Sequence, residues 1–482
     1  MKIAQLSASE LINLYRKKEL SPVEVTDELF RKIAAENPSL NAFVTLNEEE
    51  ARKRAKEAEH AYIKNVPRPL EGVPVAIKDL TNTKGLRTTY GTPLYKNHIP
   101  DRDATVVHRL KAAGAIIMGK TNTPEFGYKA TTDNPLFGPT RNPWRLDTNA
   151  GGSSGGSAAS VSAGFVPLAE GSDGGGSIRI PASLCGIFGF KPTFGKIPYD
   201  NHLNSVFSNH EPFVHYGTLT RNVTDCALMF DVIKGYADTD PFSLPNDSVS
   251  AVEAIKTDVP RQVKIGWTLD FGMFRVDDDV RNVFLQAIDQ LSAAGFDVRA
   301  VDIHFGQTLR EYMDDFVRLW TAGLGSLKET ADKHPDIFSP GLMTMIEKGN
   351  ELTAVEYKRL ESYRANVWHT LQALFRDIDI LLSPTLAVPA VPWNQEGPDE
   401  INGQPLEAQD ADWVMTQMYN LTGQPAISIP IGLTKEGLAV GMQAAAARLN
   451  DDLVLKFART YERYFPTLSG AVNGRRGSSV RN

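Results

Sequence analysis

The sequence predicts an α/β protein, a mixed central β-sheet surrounded by α-helices, on three observations. Short β-type runs, VPVAIK at 73–78, AIIMG at 115–119, DILLSP at 379–384 and AISIPI at 426–431, alternate with helical stretches. Such alternation gives a sheet whose faces are covered by helices. The segment 277–295, DDDVRNVFLQAIDQLSAAG, opens on acids and closes on glycine, as a helix should, and FDVRAVDI follows it as a strand. Finally, 42% hydrophobic and 23% charged residues in a chain of 482 provide a large core under a solvated surface.

The first hundred residues read mainly as helices. Ser21-Pro22-Val23-Glu24 combines a capping serine, a proline at the first helical position and a glutamate that closes the capping box. Residues 47–64, NEEEARKRAKEAEHAYIK, make a charged helix. The polar, turn-rich stretch 241–258 predicts a surface loop. No repeat or linker divides the chain, so 1–470 are expected to form one domain and 471–482, AVNGRRGSSVRN, a frayed tail.

Charge and composition exclude several classes of function. The 58 acidic residues outnumber the 51 basic ones, for a formal charge of -7, and no long basic run occurs; nucleic acid is not an expected partner. The opening MKIAQLSASELINLYRKKEL is interrupted by charges and lacks the apolar centre of a secretory signal. No run approaches the ~18–20 apolar residues that span a bilayer, so a cytoplasmic protein without a membrane partner is expected. Cys185 and Cys226 are too few for a disulfide framework or a Cys-rich metal site and read as small buried residues. The nine histidines show no metal-ligand spacing, and His108 reads as an ordinary helix residue. No metal is expected.

The informative segment is 151–192, GGSSGGSAASVSAGFVPLAEGSDGGGSIRIPASLCGIFGFKP. A flexible linker would not carry FVPLA, IRIP and CGIFGF between its glycines, because such runs must be buried and their backbone ordered. A phosphate loop requires G-x-x-x-x-G-K-[ST] or G-x-G-x-x-G, and neither fits. The nucleophile elbow G-x-S-x-G does fit, at 151–155 and again at 152–156. It requires a buried strand running into the serine, whereas RNPWRLDTNA precedes it. Histidines at 202, 210, 215, 304, 334 and 369 leave a histidine base open by count alone.

GGSSGGSAA from Gly151 and GSDGGGSIRIPASLCGIFGFKPTFG from Gly171 resemble the signature of the amidase signature family. GVPVAIKDL at 72–80 resembles that family's lysine segment. GKTNTPEFG at 119–127, NPLFGPTRNPW at 134–144, DILLSPT at 379–385 and NLTGQPAISIPIG at 420–432 extend the likeness over most of the chain. The resemblance implies an amidase signature fold with a mixed, mostly parallel sheet. It implies Ser177 as nucleophile, Ser153 as a cis-serine following a cis peptide after Gly152, and Lys78 as base. One departure is Gly174, where family members often carry a larger residue.

This set of residues suits amide hydrolysis, which needs an activated nucleophile, a stabilised oxyanion and a proton for the departing nitrogen. Amides of Gly174, Gly175, Gly176 and Ser177 are expected to form the oxyanion hole, since glycines let successive N–H groups turn to one point. Lysine acts as a base only when neutral, so its pKa must fall from ~10.4 to about 7, which burial can achieve. Asp173 and Arg179 are read as groups orienting the loop, and Ser154 as a hydrogen-bonding neighbour of the relay. The expected partner is a small-molecule amide, with no cofactor. Esters, carbamates and nylon-like oligomers are compatible with the same triad. The alternatives are a glutaminase subunit of a tRNA-dependent amidotransferase, an α/β-hydrolase-like esterase, and an inactive binding protein, which would need a broken triad. Aromatics in 204–217 and 312–320 are read as core or as an acyl-pocket lining. Quaternary state is not written in the sequence, which is compatible with a homodimer.

Overall fold

Strand-forming runs recur from one end of the chain to the other and join one sheet. The computed structural model describes residues 2–200, 214–247, 249–406, 412–465 and 467–468, so the expected tail at 471–482 lies outside the described residues. In chain order the strands are β1 Phe43–Leu46, β2 Pro74–Lys78, β3 Ile116–Thr121, β4 Leu168–Asp173, β5 Phe188–Lys191, β6 His215–Thr220 and β7 Lys264–Trp267. They continue as β8 Asp297–Ala300, β9 Ile380–Pro384, β10 Glu400–Ile401, β11 Gln404–Pro405, β12 Ala426–Leu433 and β13 Ala439–Ala446. All but the small β10–β11 pair form an 11-stranded sheet in the order β1-β3-β2-β4-β6-β5-β12-β13-β9-β7-β8.

The sheet is mixed, but the expectation of a mostly parallel one is overturned. β2 pairs in parallel with β3 and β4, and β7 with β8 and β9; the other six neighbouring pairs are antiparallel. The cause is local at β12 and β13. Only 434–438 separate them, with Thr434 N donating to Leu438 O at 2.8 Å, and so short a connection can join only antiparallel strands.

Period-two alternation divides the core between the two faces. Val75 and Ile77 of β2 enter a large cluster, while Ala76 enters a second one. In the second cluster Ala158 and Ala159 of the helix Gly155–Ser162 pack against the sheet with Ile116 and Met118 of β3. The capping box at Ser21 is present: its hydroxyl accepts from Val23 N at 3.0 Å, and Glu24 bonds back to Ser21 N. The charged helix covers Glu48–Ile63, and Asp277 caps the helix Asp278–Ala293. Among the described residues of the stretch expected as a loop at 241–258, Ala251–Ala254 form a helical turn. Cys185 and Cys226 are buried and free.

Candidate active site

Two neighbouring parallel strands, β2 and β4, bring the candidate residues together at their C-terminal ends. β2 is buried throughout and ends on Lys78, whose side chain has no exposure. Lys78 lies two residues beyond Ala76, on the side packed by the helix Gly155–Ser162, and Ser153 comes just before that helix. Lys78 Nζ donates to Ser153 Oγ at 2.7 Å and to Ser172 Oγ at 3.0 Å. The Gly152–Ser153 peptide is cis. No strand leads into Ser153, so the elbow lacks its framework.

Glu170 and Ser172, on one face of β4 by their spacing, frame Lys78. Lys78 N donates to Glu170 Oε2 at 2.9 Å, and Thr81 Oγ1 donates to Glu170 Oε1 at 3.0 Å. Burial lowers the Lys78 pKa to about 7, with the charges of Glu170 and Asp173 pulling the other way. Burial raises that of Glu170 despite its hydrogen bonds.

β4 runs through Asp173 into the loop 174–178, and the helix Arg179–Cys185 follows. Ser177 is 8% exposed and Ser153 2%, and of the two only Ser177 lines the neighbouring cavity. Ser154 N donates to Ser177 O at 3.1 Å, and Ser154 Oγ donates to Ser172 O at 3.1 Å. Ser154 therefore ties the two glycine segments together through main-chain oxygens and does not bond Ser153 or Lys78.

Asp173 and Arg179 are fully buried and hold the loop as a pair. Arg179 Nε and Nη2 donate to the two carboxylate oxygens, each at 3.0 Å. Nη2 also donates to Asn420 Oδ1 at 2.7 Å, and Nη1 to Thr416 O at 2.9 Å and Gln443 Oε1 at 2.5 Å. All five guanidinium hydrogens thus find acceptors. Asp173 in turn accepts from Gly176 N at 2.7 Å, Ile178 N at 3.2 Å and Asn420 Nδ2 at 2.8 Å. Burial alone would raise the Asp173 carboxyl, but the Arg179 charge and these donors hold it well below the usual range.

The loop glycines differ in what they do. Gly176 donates its amide to Asp173 and sits at φ +124°, where a Cβ would lie 2.0 Å from Thr416 Oγ1. Among the described residues, the amides of Gly174, Gly175 and Ser177 carry no such partner. Gly175 and Ser177 line a cavity of about 100 Å³ together with Tyr128, Phe316, Trp320 and Val414. Of the expected aromatic stretches, 312–320 thus supplies Phe316 and Trp320 to the cavity, while Tyr312 packs on Phe305 and Tyr363. Most of the other stretch, 204–213, lies outside the described residues. The cavity's charged lining is self-paired: Lys129 Nζ bonds Asp133 at 2.7 Å and Glu396 at 2.6 Å. Among the described residues, no group of three His, Cys, Asp or Glu side chains is placed to hold a metal, and no helix is long and apolar enough to cross a membrane.

The sequence profile of the amidase family matches residues 24–455. The chain belongs to the amidase signature family. It is 38% identical to an acylamidase of Rhodococcus erythropolis over 464 residues, 96% of each chain. It is 32% identical to a glutamyl-tRNA(Gln) amidotransferase subunit from Geotalea daltonii, across 96% of this chain and 98% of the other. Its fold superposes on a bacterial aryl acylamidase of the same family with a TM-score of 0.89 at 32% identity, covering 95% of this chain and 96% of that one. As a member of the amidase signature family it is a hydrolase of carbon–nitrogen amide bonds.

Ser172, Glu170, Thr416, Asn420 and Gln443 escaped the sequence reading. Gln443 carried a signal, as the single polar residue of the buried strand AVGMQAAA. In this amidase, Arg179→Ala leaves Asp173 as an uncompensated buried carboxylate, at an expected cost of about 3–5 kcal/mol at pH 7. Paired Asp173 stabilises the fold above its unfolded pKa, whereas the stranded one has a raised pKa and takes up a proton as pH falls. The loss is therefore expected to shrink between pH 7 and pH 5 in urea unfolding. An equal loss at both pH values would show that the pair does not hold the loop by charge.

Proposed function

We propose that this amidase cleaves small, neutral acyl amides through an acyl-enzyme on Ser177, with Ser153 and Lys78 carrying the proton. The observation behind this reading is the 2.7 Å contact of Lys78 Nζ with Ser153 Oγ in a fully buried place, where the amine is held near neutrality. Ser177 Oγ attacks the carbonyl carbon; its proton passes to Ser153 Oγ, and the Ser153 proton passes to neutral Lys78 Nζ. The carbonyl oxygen takes the displaced electron pair and meets the amides of Gly174, Gly175 and Ser177, since Gly176 is engaged by Asp173. The C–N bond then breaks, and the nitrogen leaves with a proton from Ser153, which Lys78 replaces. Water repeats the sequence on the ester, releasing the acid and restoring the Ser177 hydroxyl. Every proton moved has a protein carrier, so the scheme calls for no metal or cofactor.

Two features support a neutral acyl substrate. The cavity beside Ser177 is lined mainly by aromatic and aliphatic side chains, and its Lys129 and Glu396 neutralise one another. Free glutamine would need counter-charges for its ammonium and carboxylate, which favours the acylamidase reading over a glutaminase subunit. The similarity to an acylamidase and an aryl acylamidase points the same way. The single sheet built from strands near both ends of the chain supports reading 1–470 as one domain.

A fluorophosphonate probe followed by peptide mapping is expected to label Ser177; labelling of Ser153 or Ser154 in its place would rule the assignment out. Lys78→Ala is expected to lower kcat/KM for amides by ~10²–10⁴-fold. In the wild type only neutral Lys78 is active, so kcat/KM should rise with pH through about 7 and then level, and the variant should lose that limb. Near-normal turnover in Lys78→Ala with an unchanged pH profile would remove Lys78 from the mechanism.

A further inference from the structure

Two aromatic rings lie against the loop that precedes Ser177, and two glycines make this approach possible. Phe316 and Trp320, one turn apart on the helix Leu309–Leu324, stack with ring centroids 6.3 Å apart and planes inclined by 16°. A Cβ on Gly174 would lie 2.5 Å from Trp320 Cζ3, and one on Gly175 would lie 2.9 Å from Phe316 Cζ. Carbon atoms in favourable contact are ~3.5–4.0 Å apart, so only glycine fits under either ring as they stand. The opposite edge of the indole is held by Trp320 Nε1, which donates to Tyr128 O at 3.3 Å. Trp320 is thus fixed at both ends, across a cavity that opens on Ser177.

We propose that Trp320, backed by Phe316, is the wall that sets the size of acyl group this amidase accepts, restricting it to short, unbranched, apolar acyl groups. The inference rests on Ser177 being the nucleophile. The cavity of about 100 Å³ is narrow and opens to solvent, so an acyl group seated beside Ser177 lies against the indole, and a bulkier group must contend with that ring for space. Gly174 belongs to the same device: any larger side chain there would push Trp320 out of position and reshape the slot. In a pocket of this kind one misfitting methylene changes kcat/KM by ~10–200-fold, so a single rigid ring is enough to impose a sharp preference.

The test compares wild type, Trp320→Phe and Trp320→Ala on anilides that share one amine and differ in acyl group, from acetyl through hexanoyl, with benzoyl added. Labelling rates of Ser177 with alkyl fluorophosphonates of increasing chain length are read in parallel and need no amide turnover. Wild type is expected to favour acetyl to butanoyl. Trp320→Ala should raise the hexanoyl-to-acetyl ratio of kcat/KM by about tenfold or more, with Trp320→Phe in between and the labelling rates following the same order. A ratio unchanged in both variants, or a wild type that prefers hexanoyl or benzoyl, overturns the wall while leaving the nucleophile in place. Absence of Ser177 labelling in wild type would instead overturn the nucleophile assignment on which the wall depends. If Trp320→Ala does not fold, Trp320→Phe and the probe series still decide.

Discussion

The rest of the site depends on one constraint, the burial of a complete charge pair immediately beside the loop 174–178. Taking Asp173 and Arg179 out of water costs several kcal/mol per ion, which is offset only when the geometry is good and the remaining polar atoms are satisfied. Here the guanidinium spends all five hydrogens, and the carboxylate also gathers two main-chain amides of the loop itself. The glycines permit many loop shapes, and the charge pair selects one. The loop cannot relax toward another without stranding a buried charge.

Burial is used in the opposite sense a few ångströms away. Lys78 meets hydroxyls through its Nζ, and the nearest carboxylate bond, from Glu170, goes to its main-chain N–H. Its positive charge is thus poorly compensated, and the amine tends to neutrality. Lys120 behaves likewise: it is buried with Thr81 O and Thr83 Oγ1 as acceptors, and burial lowers its pKa to about 8. Burial also pushes neighbouring Asp79 up to about 6. The division of labour follows the chemistry of the side chains. Arginine keeps its proton in any protein environment and can serve as a fixed scaffold, whereas lysine gives its proton up when desolvated and can serve as a base.

Much of this was legible in the sequence because it is local. A capping box at Ser21, acids at the start of the helix Asp278–Ala293, and the buried runs that became β2, β3, β9 and β12 each carry their signal within a few residues. Motifs in order single out Lys78, Ser153 and Ser177, and the contact of Lys78 with Ser153 and the pairing of Asp173 with Arg179 are seen in the structure. What the sequence did not disclose is what forms across distance. Strand direction in the middle of the sheet depends on which hairpins insert there. Three of the five acceptors of Arg179 come from residues more than 200 positions away. The wall formed by Phe316 and Trp320 looks in sequence like any amphipathic helix, and only its seat on Gly174 and Gly175 distinguishes it from core.

The reach of Arg179 bears on how the enzyme comes into being. Thr416, Asn420 and Gln443 lie 237, 241 and 264 residues downstream of it, and together they take three of its five hydrogens. A chain emerging from the ribosome carries Lys78, Ser153 and Ser177 before half of it has been made, yet it lacks the acceptors that fix the loop until the last strands arrive. A truncated translation product, or a remnant clipped before Thr416, holds Lys78, Ser153 and Ser177 without the three distant acceptors of Arg179.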